Sequence, residues 1–306
     1  MHALLPLALL AALPACTGPV PAQYARVLPD DRLEVNLPEA GARRDGDVSQ
    51  YYLMTRQVTD GVNGLIGGVL GTVDQITELP PSWSNDEAAT AVWGPWSQPL
   101  DAVQTLLTVH HDLDADTWTW AIVERPKAST HDADWVPIVA GQVDAGATEV
   151  SSSGFFAIDF DQAAALDPAQ TASGTFATEY SLFPDGAEAT AGFQDYSDGN
   201  QTVNAYYHYA QVPASVGQMD LAFPLDVNGN GTDESEYVRS RWVDTGAGRA
   251  DAYVTGGDLG SLVANATECW DTSFASVYYT DNFGGTTTGD PNACVYDQPD
   301  YTDEGP

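Results

Sequence analysis

The sequence predicts a mainly β protein: a long antiparallel meander curled into an open or closed barrel, with one N-terminal glycine-rich helix packed on it. Three observations carry that prediction. Apolar residues recur at helical spacing in one stretch only, residues 47–78. Beyond Pro81 the chain alternates apolar and polar residues segment after segment, the period of half-buried antiparallel strands. The separators between those segments are short and turn-like, so neighbouring segments pair as hairpins.

The chain opens with MHALLPLALLAALPAC, an apolar run that ends in small residues. It reads as a secretory signal over residues 1–15, because so short a run cannot cross a bilayer core of roughly 30 Å. Its last four residues, Leu13-Pro14-Ala15-Cys16, resemble the lipobox of bacterial lipoproteins. In that family the signal is cut before the cysteine, which is then acylated. The resemblance implies that Cys16 is the lipidated first residue of the mature chain and that a lipid anchor holds the protein at a membrane. Thr17, where Asp would retain the protein at the inner membrane, implies the outer membrane, facing either the periplasm or the cell surface. The chain departs from the family in having His2 and no Lys or Arg ahead of the apolar run. A plain signal peptide with a chance cysteine is the alternative.

Residues 16–46 are rich in Pro, Ala and charge without a sustained period, and read as the lipidated Cys followed by a flexible tether. A flexible segment of that length has an end-to-end distance of about 30 Å. In 47–78, Val58, Val62, Leu65, Ile66, Val69, Val73 and Ile76 recur at helical spacing, interrupted by Gly61, Gly64, Gly67, Gly68 and Gly71. Each glycine costs a helix about 1 kcal/mol relative to alanine. Their density predicts a helix pressed close against a sheet or seated in the mouth of a barrel. Asp60, Asn63 and Asp74 argue against a membrane-inserted glycine zipper.

Strands are expected at Trp118–Ile122, Phe156–Phe160, Phe176–Leu182, Val203–Tyr209 and Met219–Leu225. DLDAD (112–116), PDG (184–186) and SDGN (197–200) separate them. Some ten to twelve strands in sequence order make a meander, which curls or closes to remove its edges. The domain runs over 47–282, and 283–306 form an acidic C-terminal tail pinned by Cys294. A long N-terminal helix followed by a curled meander, over roughly 47–256, is similar to the lipoprotein carriers of the outer-membrane localisation system. Those fold as incomplete barrels whose apolar cavity holds acyl chains. The resemblance is architectural and implies an apolar ligand.

With 44 acidic against 10 basic residues the net charge is −34, and Lys127 is the only lysine. Such a surface repels nucleic acid and anionic headgroups. It serves as a solubility device or as a sink for divalent cations. Cys269 and Cys294 remain once Cys16 is set aside, in a compartment that permits disulfides, and are expected to pair.

The stretch DVNGNGTDESE (226–236) places Asp226, Asn228 and Asn230 at alternate positions ahead of Gly231, then Asp233 and Glu234. Alternating oxygen ligands can wrap Ca2+. The bidentate glutamate an EF-hand needs is replaced by Tyr237, and both flanks alternate like strands. A plain Asn-Gly turn is the competing reading. Asp112, Asp114 and Asp116 share the spacing without a glycine. His110 and His111, adjacent on a strand, point to opposite faces and cannot share a metal. WVDTGAG (242–248) resembles the aspartic-protease signature, but that chemistry needs two such aspartates and only Asp244 is present. Gly-x-Ser-x-Gly, Walker, Rossmann, HExxH and CxxC patterns are absent. Trp83, Trp93, Trp96 and Trp135 could line a sugar or lipid site or fill the core. The leading expectation is a non-enzymatic lipid-anchored protein binding an apolar ligand in the curled sheet. A structural or adhesive surface domain, braced by Cys269–Cys294 and by calcium, comes second. A polysaccharide-acting enzyme comes third.

Overall fold

The computed structural model describes residues 33–38 and 48–301, apart from 86, 88, 149, 200, 201, 213–215, 227 and 228. The helical periodicity resolves into α1 (Gln50–Thr77). Ser49 caps it, its hydroxyl accepting from the Tyr52 amide, which satisfies one of the orphan donors of the first turn. The first turn carries no acid of its own. The Glu268 carboxylate supplies one from across the fold, accepting from the Ser49 hydroxyl (2.7 Å) and the Tyr51 amide (2.9 Å). A carboxylate there complements the positive end of the helix dipole.

Fifteen strands follow in one antiparallel sheet whose spatial order is the sequence order. They are β1 (Trp83–Asn85), β2 (Thr90–Trp96), β3 (Val103–Asp112), β4 (Thr117–Pro126), β5 (Val136–Val143), β6 (Ser152–Asp159), β7 (Ser173–Phe183) and β8 (Gly186–Ser197). Then come β9 (Thr202–Val212), β10 (Val216–Leu225), β11 (Glu234–Val243), β12 (Gly248–Gly256), β13 (Gly260–Trp270), β14 (Ser276–Asp281) and β15 (Thr287–Gly289). A short helix, α2 (Phe160–Leu166), follows β6. The expected meander is therefore present, open rather than closed: β1 and β15 end the sheet and do not pair with each other. Both edge strands are three residues long, which limits the unpaired backbone they offer.

α1 lies across the strands as a strut. Ser49 meets Glu268 on β13 at one end, and the Trp93 indole on β2 donates to the Leu79 carbonyl at the other (2.8 Å). The eleven strand spacings between β2 and β13 make an arc of about 53 Å. The 28-residue helix covering it is roughly 42 Å long. The sheet therefore curls around the helix, and one apolar core unites α1 with inward-facing side chains from β2 to β13.

The curl has a local cause in paired large and absent side chains. Trp120 faces Gly141, Trp242 faces Gly217 and Trp270 faces Gly248 across neighbouring strands. A Cβ on those glycines would come within 2.6, 2.1 and 2.3 Å of the indole. The indoles fill the space that a side chain at those glycines would take, a device that pins register. Register shifts at Phe193/Tyr196 and Val254/Gly256 add local twist.

Four expectations need correction. Fifteen strands replace ten to twelve, and two of the additional ones, β1 and β15, are too short to show a period. Phe160 does not continue the preceding strand; it opens α2, which Asp159 caps by accepting from the Gln162 amide. Within the expected tether, Leu33, Val35 and Leu37 are buried core residues, since every second side chain of 33–38 is apolar. The expected C-terminal tail is part of the fold over 287–301, through β15 and through contacts to arginines described below.

Candidate functional site

The helix places its faces unequally. Tyr52, Thr55, Thr59, Val62, Ile66, Leu70, Val73 and Thr77 are buried against the sheet. α1 crosses β11 at Ser240, where Thr55 Oγ1 and Ser240 Oγ are 2.5 Å apart, and β10 at Met219, whose sulfur accepts from Thr59 (3.7 Å).

On one side of that crossing, toward Trp242, residues 33–38 cover the helix flank. The Asn63 amide clasps the Val35 backbone in both directions (2.7 and 2.8 Å), and Arg56 donates to the Leu37 carbonyl (3.2 Å). Asn36 in turn bridges to the sheet: its amide donates to the Tyr209 hydroxyl, and its carbonyl accepts from the Trp242 indole. A polar depression of about 340 Å³ remains beside Arg56, Asp60 and Asn63.

On the other side, toward Val238 and Glu236, the helix presents Tyr51, Met54, Val58, Leu65, Val69 and Ile76, all half-buried against the core. At 100° per residue these six fall on one stripe about 60° wide. Next to them Gly61, Gly64 and Gly68 face open space, with nothing within 4 Å of where a Cβ would stand. This overturns the expectation that the glycines bring the helix close to the sheet. They stand on the outward side of α1, and of the helix glycines only Gly67 meets a neighbour, the Glu34 carboxylate. Across the gap the sheet extends Phe223 on β10 and Glu236 on β11, a direct cross-strand pair. Each stands four residues beyond its strand's crossing point, about 13 Å along the strand. Farther along, Phe160 of α2 packs edge-on against Tyr196, and Tyr196 against Phe193 of β8. The result is a half-buried apolar stripe along one helix flank, continued on the sheet by Phe223, Phe193 and Phe160.

Glu236 is the unusual residue here. Val238, Ser240 and Trp242 share its parity on β11 and all face the core, so Glu236 points inward too. It is 8 % exposed. Burial pushes its carboxyl above the ordinary range. Burial, with Glu236 close by, also pushes the Tyr51 phenol far up, so it stays neutral. The Tyr207 hydroxyl, on β9 beside Leu221, is buried and without a hydrogen-bond partner among the described residues.

The convex face is built differently. Cys269 and Cys294 form the expected disulfide, with Cα atoms 5.4 Å apart. From it the chain runs as a strap over β11–β13. Arg249 donates to the Tyr296 carbonyl (2.9 Å), Arg241 lies over the Tyr296 ring and donates to the Gln298 carbonyl, and Arg239 pairs with Asp300 (2.9 Å). Beneath it, Asp251 receives Arg241 and Arg249, and Asp220 receives Arg239. His208 extends this network, between Asp220 (3.4 Å) and Glu188 (3.0 Å).

The remaining predicted sites resolve as follows. In 226–234, side-chain oxygens of Asp226, Asn230 and Glu234 already accept from backbone amides. Asp226 accepts from the amides of Gly229, Asn230 and Gly231, and the Asn230 side-chain Oδ1 accepts from the Thr232 amide. The buried Glu234 accepts from the Asp258 amide, across the β12–β13 connection, and Asn230 donates to the Asp258 carboxylate. Asn228 and Cys16 lie outside the described residues. No group of three or more His, Cys, Asp or Glu side chains is placed to share a metal among the described residues. Asp112 caps its own turn through the Asp114 and Ala115 amides. His111 stacks on Trp118, while His110 bonds Thr90. Asp244 belongs to the β11–β12 hairpin, whose Gly246 takes a left-handed φ of 92°. Trp93 is in the main core, and Trp83 and Trp135 pack on a small convex-face cluster of Val92, Leu106 and Val123. No described helix is long and apolar enough to cross a membrane. No protein-family model matches the chain, and neither a curated protein nor a solved structure is significantly similar to it.

Proposed function

We propose that this chain is a lipid-anchored exported protein that holds an apolar ligand along the half-buried stripe of α1. The observation that carries the reading is the asymmetry of the helix. One flank is sealed by residues 33–38, whereas the other leaves an apolar stripe half-buried. Apolar side chains left half-wet on a rigid strut give an alkyl chain roughly 25 cal/mol for each Å² they lose to it. The lipobox-like Leu13-Pro14-Ala15-Cys16 supports the anchor. The site differs from the cavity expected from sequence, because α1 fills the centre of the cradle and the ligand lies along it. The test is titration with Nile red, a neutral solvatochromic dye. Blue-shifted saturable binding that is lost in Val58→Asp and Leu65→Asp, both still folded by circular dichroism, is the expected result. Undiminished binding in both variants contradicts it.

A second reading, a structural or adhesive surface domain, is favoured by the strap: a disulfide and three arginines fix the convex face as a rigid surface. The two readings concern opposite faces of the sheet and are compatible.

A further inference from the structure

We propose that Asn230 is a self-modification site: the β10–β11 turn is arranged to convert its side-chain amide to a carboxylate through a cyclic imide with the Gly231 nitrogen. The inference is independent of the ligand reading above. Four groups of one intramolecular acyl transfer stand around this side chain. The nucleophile is the Gly231 amide, whose N–H is held by the Asp226 carboxylate at 2.6 Å. The electrophile is Asn230 Cγ. Its oxygen, Oδ1, accepts from the Thr232 amide (2.8 Å), a bond that folds the side chain forward over the Gly231 peptide. The leaving nitrogen, Nδ2, donates to the Asp258 carboxylate in the β12–β13 turn.

Each contact matches a step. A general base must lie within hydrogen-bond reach of the proton it takes, and Asp226 does. A backbone N–H on the carbonyl oxygen stabilises the charge that develops as the tetrahedral centre forms. Nucleophile and electrophile are adjacent in one turn, so little orientation is left to lose. Gly231 has a left-handed φ of 90°, and nothing stands within 4 Å of where its Cβ would be, which leaves the ring accessible to water. The atoms balance. The Gly231 N–Cγ bond forms and the Cγ–Nδ2 bond breaks. The proton leaves Gly231 for Asp226 and returns through solvent to Nδ2, which departs as ammonia. Water then opens the imide, giving aspartate or isoaspartate, with no oxidant or reductant. The product sets a carboxylate against Asp258 where an amide had donated, so the link between the two turns becomes a like-charge repulsion. Asn63, also followed by glycine, is the internal contrast: its amide is tied to the Val35 backbone in both directions, and the helix ladder takes the Gly64 N–H.

The experiment is incubation of the full chain in mildly alkaline buffer, folded and in urea, with peptide mapping by mass spectrometry to place each new acid. Asn230 is expected to react at least about tenfold faster in the folded chain than in urea, the lower end of what a positioned base supplies. Asn63 is expected to react more slowly folded than unfolded. Asp226→Asn should remove the folded-state advantage at Asn230 while leaving the rate in urea unchanged. An Asn230 that reacts no faster folded than unfolded, or acid that appears at Asn228 instead, overturns the site. A folded-state advantage that survives Asp226→Asn overturns the role of Asp226. Asn230→Asp, which mimics the product, should speed amide exchange in 226–233 and 256–260, and unchanged exchange overturns the parting of the two turns.

Discussion

Replacing Asp220 by Asn tests how the convex face is held. Asp220 and Arg239 are cross-strand partners on β10 and β11, both buried. The carboxylate receives Arg239 through Nε (2.6 Å) and Nη2 (3.0 Å), and it also receives the Gln218 amide (2.9 Å) and His208 (3.4 Å). Burial alone would push this carboxyl up, but the hydrogen bonds from His208, Arg239 and Gln218 outweigh it and hold it below its ordinary value. Asn keeps the shape, loses the charge and cannot accept both guanidinium bonds. Breaking a buried pair from one side costs about 3–5 kcal/mol, because a buried charge is left behind. Arg239 retains Asp300, so the low end of that range, about 3 kcal/mol, is expected. For a domain of this size that lowers Tm by roughly 6–12 °C. The assay is thermal unfolding followed by near-UV circular dichroism at pH 7. A fall of less than about 2 °C would refute the view that this pair organises the convex face. Arg239→Met in the Asp220→Asn background should then cost little more, since coupled partners are non-additive.

Further expectations follow from the same geometry. Hydrogen bonding to Asp220 outweighs burial and, with Glu188, raises the His208 imidazole above its usual 6.5. Its contribution to stability is therefore full below about pH 6.5 and lost as pH rises through the elevated folded value. His208→Gln should flatten Tm against pH over that window, and an unchanged slope would contradict the pairing. Gly217→Ala puts a Cβ 2.1 Å from the Trp242 ring, which should cost about 1–3 kcal/mol in denaturant titrations. Gly64→Ala and Gly68→Ala meet nothing within 4 Å, so each should stabilise α1 by about 1 kcal/mol; destabilisation would mean that the glycines serve packing after all. Removing the disulfide as Cys269→Ser with Cys294→Ser opens a loop of separation 25 and should cost about 3 kcal/mol, read as a lower urea midpoint.

Much of the fold was legible because its signals are periodic. The alternation in Trp118–Ile122 and Met219–Leu225 yields β4 and β10, and the turn letters 112–116 and 184–186 fall between strands as expected. The disulfide followed from counting cysteines. Openness was not legible, because whether β1 meets β15 depends on accumulated curl, which no local pattern encodes. The helix glycines misled for a physical reason: their density says that side chains are absent, not toward which face. The apolar stripe was half-legible. Met54, Val58, Leu65 and Val69 follow from the helical period, and Glu236 could have been found as the charged residue at an inward position of β11. What sequence could not supply is that 33–38 seal one flank and not the other, since their partners Asn63, Tyr209 and Trp242 lie 28 to more than 200 residues away along the chain.

The central claim is that the flank of α1 opposite residues 33–38 is where an apolar ligand lies. The direct test is photolabelling of the full chain with a diazirine-bearing alkyl alcohol, followed by mapping of the labelled peptides. The account predicts labels on Met54–Val69 and around Phe223, suppressed by excess dodecanol. Labels confined to the exposed Leu262 and Phe283, or spread without competition, would contradict it.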